Sequence, residues 1–170
     1  MYKRQVFKGY DETTLMANVT ALVLDSEVVD ELSNKIKKSA IITDESCFYA
    51  ESGGQVGDKG IISTENAEFK VTDTRKTSQG IFIHFGNVIS GNFKIGNEVK
   101  LKIDSGLREL IKKNHSATHL LHAALRNNLG PHVAQRGSLV NENKLRFDFS
   151  HNKQISSKQI DTIQKEVTNI

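Results

Sequence analysis

Five of the six histidines fall within residues 114–151, and three of them, His115, His119 and His122, are spaced for one face of a helix. At about 100° per residue they share an arc of roughly 60°, while Leu107, Leu110, Leu121 and Leu125 fall on another side. Imidazoles at i and i+4 lie one above the other and can converge on a single metal ion at the roughly 2.0–2.1 Å of a Zn–N bond. The plain alternative is that the rings are solvated or bonded to nearby carbonyls, and spacing alone does not choose. One hydrolytic reading is disfavoured, because helical zinc peptidases carry His-Glu-x-x-His with the glutamate as general base. Ser116 stands at that position and cannot take that part.

Three sequence blocks follow one another here: HSATH at residues 115–119, HVAQRGSLV at 132–140 and LRFDFSH at 145–151. A fourth, FYAESGGQVGD, lies upstream at 48–58. Together they resemble the editing region of the alanyl-tRNA synthetases, and the likeness covers most of the chain from Phe7 onward. The opening Phe7-Lys8-Gly9-Tyr10-Asp11 is similar to a segment that precedes that region in the family.

The resemblance implies a zinc-dependent hydrolase that cleaves the ester of tRNA(Ala) mischarged with serine or glycine. The parent enzyme joins alanine to tRNA(Ala) using ATP. Glycine lacks one methyl and serine adds one hydroxyl relative to alanine, differences worth roughly 10- to 200-fold in binding, so a second hydrolytic site is a physical solution. By the same resemblance His115 and His119 are zinc ligands, completed by a later Cys-x-x-x-His pair absent from this sequence. Thr118 and Gln135 are pocket residues, and the loop Ser52-Gly53-Gly54-Gln55 faces the editing site, with Ser52, Gly53 and Gly54 against the substrate. The chain is then expected to end before the metal site closes, leaving the isolated segment deficient in zinc binding and hydrolysis.

Each carried-over residue has a plainer reading: a helix-packing threonine at 118, an exposed strand residue at 135, a simple turn at the glycine pair. His122, His132, Arg126 and Arg136 receive no assigned role. Ser46-Cys47 stands where the family commonly has Thr-Pro, and Cys47 reads as a small buried filler. Two other functions remain open, a free-standing deacylase acting on mischarged tRNA in trans and a non-catalytic RNA-binding module.

Around these residues the sequence predicts an α+β chain. Residues 1–14 read as an entry segment whose aromatics Phe7 and Tyr10 tuck against the first domain. Residues 15–104 read as that domain, β-barrel-like, from the alternating or apolar runs ANVTALVL, SAIIT, CFYA, GIIS, EFKVTD, IFIHFG and EVKLKI. Val28 to Leu32 fits either a strand or a helical turn. Residues 105–170 read as an incomplete two-layer editing domain, a helix plus antiparallel sheet. Its long helix is capped by Asp104 or Ser105 and ends at Leu129 before Gly130-Pro131. A hairpin comes next, over 132–140 and 144–150, turning at Asn141-Glu142-Asn143. Ser156 and Gln159 have capping-box spacing, and Ile155 and Ile160 that of a hydrophobic staple, for a final helix lined by Ile160, Ile163, Val167 and Ile170. An apolar face left open there would favour self-association.

Composition excludes rather than identifies. With 37% hydrophobic and 25% charged residues the chain is of ordinary globular type, and no run approaches the roughly 20 apolar residues of a membrane span. The first dozen residues lack the apolar core of a signal peptide, and a single cysteine forms no internal disulfide, so a cytoplasmic setting is the default. Residues 1–105 hold 13 Lys/Arg against 15 Asp/Glu, and residues 106–170 hold 10 against 5. Positive charge thus gathers around the histidine helix, where it would suit a substrate carried on a phosphate backbone.

Overall fold

A computed structural model describes residues 5–33 and 38–169. Ile170, expected on the last helical stripe, and the first four residues of the entry segment lie outside the described residues. The chain divides into two compact units. One comprises Met1–Ser52 and Val56–Arg108, the other Gly53–Gln55 and Glu109–Ile170.

The first unit is built from β1 (Val6–Phe7), β2 (Thr14–Leu24), β3 (Glu27–Val29), β4 (Glu31–Ser33), β5 (Ser39–Thr43), β6 (Glu45–Ser46), β7 (Gly60–Ser63), β8 (Glu68–Lys76), β9 (Phe82–Ser90), β10 (Asn92–Lys94) and β11 (Glu98–Ile103). Six of these strands close into an antiparallel barrel in the order β11-β7-β8-β9-β5-β2, with β2 pairing back onto β11 and β3 added outside β2. Closure removes the free edges that an open sheet of this size would expose. The alternation read from the sequence is the cause of the inside: Leu15, Ala17 and Val19 of β2 and Val99, Leu101 and Ile103 of β11 point inward with Phe69, Val71 and Ile62. Residues 28–32 fall in two short strands with a bend at Asp30, not in a helical turn, since β3 pairs with β2 and β4 with β10.

Two expectations are corrected here. CFYA is not a strand, although Cys47, Phe48 and Ala50 are buried. Its backbone groups are satisfied elsewhere: Phe48 N–H donates to Ser46 Oγ, Tyr49 N–H to Asp58 Oδ2 at 2.7 Å, and Asp58 N–H returns to the Tyr49 carbonyl at 2.9 Å. With side chains meeting those groups, the segment needs no ladder partner. Of the entry aromatics, Phe7 stacks on Phe82 with centroids 5.1 Å apart, but Tyr10 meets Phe7 in a T-shaped contact and stays 83% exposed.

The barrel holds two buried polar groupings. Asp58 receives Nε and Nη2 of Arg108 in a forked ion pair, and the same guanidinium donates to the carbonyls of Gly9 at 2.8 Å and Cys47 at 3.2 Å. His84, fully buried on the inward row of β9, donates from Nδ1 to the Ile41 carbonyl at 2.9 Å and accepts at Nε2 from Ser46 Oγ at 2.8 Å. Burial pushes its pKa down to about 4. Burial likewise pushes the Cys47 thiol up to about 12, which agrees with an inert packing residue.

The second unit takes up α1 (Ser105–Leu129) from Glu109 onward, with β12 (Gln135–Val140), β13 (Leu145–Phe149) and α2 (Ser157–Thr168). Asp104 Oδ1 caps α1 by accepting from Leu107 N–H at 3.0 Å, and Gly130, at φ 115°, closes the other end with its N–H on the Arg126 carbonyl. The buried stripe runs through Ile111, Thr118 and Leu125, seven residues apart, with Ala124 beside it. Leu110 is 46% exposed, a correction to its expected place on the apolar side: it stands about 100° from Ile111.

β12 and β13 form the expected hairpin, starting three residues later than predicted because residues 131–132 form a turn, closed by Val133 N–H on the Gly130 carbonyl, and the register shifts between Gln135 and Gly137. Asn141 Oδ1 accepts from the N–H groups of Asn143 and Lys144 and fixes the turn. Phe147 and Phe149 pack toward Leu121, Leu125, Val133 and Ile163. Ser156 and Gln159 make both bonds of the capping box on α2. Ile163 and Val167 join the cluster, whereas Ile160 is 51% exposed on the rim of an apolar groove of about 380 Å³ between α1, β13 and α2.

Candidate functional site

A connected line of polar contacts in the second unit runs through most of the residues singled out by sequence. Its centre is α1, whose helical spacing brings His115 Nε2 within 3.0 Å of His119 Nε2, the two ring centroids 4.9 Å apart. His119 is exposed and His115 half-buried, so both nitrogens open toward solvent. His115 Nδ1 lies 2.6 Å from Gln55 Oε1. An amide oxygen only accepts, so Nδ1 is the protonated nitrogen of that ring.

Gln55 reaches this position because the glycine loop docks on the hairpin. Val140 N–H donates to the Gly54 carbonyl at 2.8 Å, Gln55 and Val140 form a parallel bridge, and Ser138 Oγ donates to the Gly53 carbonyl at 3.1 Å. Gly54 sits at φ 85°, and a Cβ there would overlap the Ser138 hydroxyl and carbonyl. Both the backbone angle and the close approach call for glycine. Gln135, exposed on β12, donates from Nε2 to Ser138 Oγ at 3.1 Å and so joins the same line.

The remaining candidates are placed differently. Thr118 is 7% exposed and its hydroxyl donates to the Asn114 carbonyl one turn back, leaving the oxygen lone pairs as acceptors. Ser52 is exposed and belongs to the barrel unit, not to the unit of the histidines. His122 turns its ring to Phe147, centroids 5.0 Å apart, with a buried Nε2 that has no hydrogen-bond partner among the described residues. His132 and His151 form a pair of their own, Nε2 to Nδ1 at 2.9 Å. Arg126 donates to the Val133 carbonyl, and Arg136 is exposed.

Among the described residues no three His, Cys, Asp or Glu side chains are placed around one point. Of the residues expected to hold a metal, His115 and His119 are brought together. Cys47 lies in the barrel core at 0% exposure and is no part of it. Sequence reading placed Gln55 in the glycine loop that faces the site but gave its side chain no role of its own; a glycine pair lets its neighbour be carried close to another strand, and the buried amide finds its partner in His115.

Residues 1–107 match the family model of the tRNA synthetases class II (A), and the chain belongs to that family. Membership relates it to aminoacyl-tRNA synthesis and makes tRNA the expected partner. The matched range stops short of His115. No helix of the described residues is long and apolar enough to cross a membrane.

Proposed function

We propose that the chain is the editing segment of an alanine-specific member of this family, removing serine or glycine from mischarged tRNA(Ala) at a zinc site that includes His115 and His119. The observation that carries this reading is the convergence of the two Nε2 atoms at 3.0 Å. Two Zn–N bonds of roughly 2.0–2.1 Å meeting at a tetrahedral centre place their nitrogens roughly 3.3 Å apart, so the pair fits as half of a zinc site with only a small spreading of the rings. The pair supplies two nitrogen donors, half of a tetrahedral set.

Zinc held there would supply Lewis acidity at the ester to be cleaved. The chain's own residues do the rest of the selecting. Gln135 and the Thr118 oxygen offer hydrogen bonds to a seryl hydroxyl that alanine, lacking the hydroxyl, does not form. The surplus of Lys and Arg in residues 106–170 suits the phosphates of the tRNA acceptor end.

The test uses the intact synthetase. His115→Ala or His119→Ala should abolish hydrolysis of seryl-tRNA while alanine activation persists. Deacylation at the wild-type rate by either variant would refute the metal role. The 170-residue chain alone, with two of four ligands, should lose zinc to a mild chelator and hydrolyse seryl-tRNA poorly. Zinc retained at one equivalent through dialysis, with rapid hydrolysis, would refute the need for further ligands.

A further inference from the structure

We propose that Gln55 is the positioning residue of His115, fixing its tautomer and ring orientation so that Nε2 presents a lone pair to a bound cation. The inference rests on the proposed zinc reading for its purpose, but the side-chain arrangement stands independently of it.

A neutral imidazole carries one N–H, and which nitrogen bears it is set by the partner of that nitrogen. The Gln55 amide oxygen lies 2.6 Å from Nδ1, so the proton is drawn there and Nε2 is left bare. Gln55 is 8% exposed, which keeps water from competing for either group. Its backbone is held from both sides of the glycine pair, by the Val140–Gly54 bond at 2.8 Å and the Ser138–Gly53 bond at 3.1 Å. An acceptor carried on a mobile side chain would sample many positions; this one has a fixed base and a buried stem. A ligand imidazole whose far nitrogen donates to a fixed oxygen is the arrangement in which the outer partner raises basicity and holds the ring, and losing such a partner costs about 10–100-fold in metal affinity.

The geometry also gives the glycine pair a purpose. Gly53-Gly54 need not touch substrate to matter, because the close approach of Gly54 to Ser138 is what carries the next residue under α1. Any bulkier residue at 54 would withdraw the acceptor from His115.

Two variants of the 170-residue chain separate this role from packing. Gln55→Met keeps length and removes the acceptor; Gln55→Glu keeps the acceptor. Ring ¹⁵N chemical shifts of His115, recorded at about pH 8, read the tautomer directly, and competition titration with zinc reads affinity. In the wild type His115 should be the Nδ1–H tautomer, in Gln55→Met a mixture, and in Gln55→Glu again Nδ1–H. Zinc Kd should rise about 10–100-fold in Gln55→Met and stay within about threefold in Gln55→Glu. A wild-type His115 in the Nε2–H form, or one tautomer shared by wild type and Gln55→Met, would overturn the proposal. So would equal damage by both variants, which marks a packing role. Should the wild type and His119→Ala bind zinc equally weakly while the tautomers behave as expected, the zinc reading fails and the positioning of His115 by Gln55 stands. Should Gln55→Met not fold, the wild-type tautomer and the Gln55→Glu comparison decide.

Discussion

His84 makes the barrel sensitive to mild acid. Its ring is fully buried, bonded to a carbonyl and a hydroxyl and set edge-on to Phe48 at 5.1 Å, so a charged imidazolium there loses its hydration without gaining a counter-ion from those partners. The folded pKa of about 4 lies below the roughly 6.5 of an exposed histidine. The unfolded chain therefore takes up the proton first: the stability is complete above about pH 6.5 and drains away as pH falls toward 4. A difference of about 2.5 units is worth about 3 kcal/mol in full, of which about 2 kcal/mol is gone by about pH 5. Urea denaturation at several pH values between about 7 and 4.5 measures this, with His84→Gln as the reference, since an amide can keep one donor and one acceptor but does not titrate. Wild type should lose about 2 kcal/mol more than the variant between about pH 7 and 5. Carboxylates such as Glu31, whose pKa is lowered chiefly by the Asn92 amide, lose their contribution as pH falls through the carboxylate range and do so equally in both proteins. Parallel pH profiles for the two proteins would refute the argument.

Three further outcomes rest on the packing. Asp58→Ala strands the guanidinium of Arg108, whose side chain is 13% exposed, and should cost about 3–5 kcal/mol; a loss under about 1 kcal/mol in urea would show that the guanidinium finds water instead. Gly54→Ala should leave the barrel intact by near-ultraviolet circular dichroism yet weaken zinc binding as much as removing the Gln55 acceptor does, and unchanged affinity would mean that the loop does not depend on its approach to Ser138. Cys47 should react with a thiol reagent only as fast as the barrel opens, given 0% exposure and a pKa of about 12; labelling of the native protein at the rate of a free thiol would contradict its burial.

What could be read from the sequence is what local chemistry decides. The Ser156–Gln159 box and the Asp104 cap are bonds across three residues, and the β2 and β11 alternation is a period of two along one strand, so both are visible without knowing any partner. The barrel was legible as a class for the same reason. CFYA was misread because its partners, Asp58 and the bond from Glu51 N–H to Thr74, lie on other segments, and a run of buried apolar residues looks like a strand whether a ladder or a carboxylate meets its backbone. Leu110 was misplaced because leucines alone defined the face, while Ile111 and Thr118 sit on the true stripe.

The same distinction sorts the site. His115 and His119 were visible because helical spacing alone brings their Nε2 atoms together. The contact of Gln55 with His115 was not, although the loop that carries it was, because the partner lies 60 residues away along the chain and nothing nearby announces it. What the sequence did carry was the permission for that contact: two glycines before a polar residue, where one glycine meets a positive φ and a backbone approach at once. A glycine pair ahead of a long amide or carboxylate is therefore better read as a device for delivering that side chain to a distant group than as a turn. On that reading the residue after the pair, more than the pair itself, is where chemistry should be sought, and in this chain it leads to the protonated nitrogen of His115.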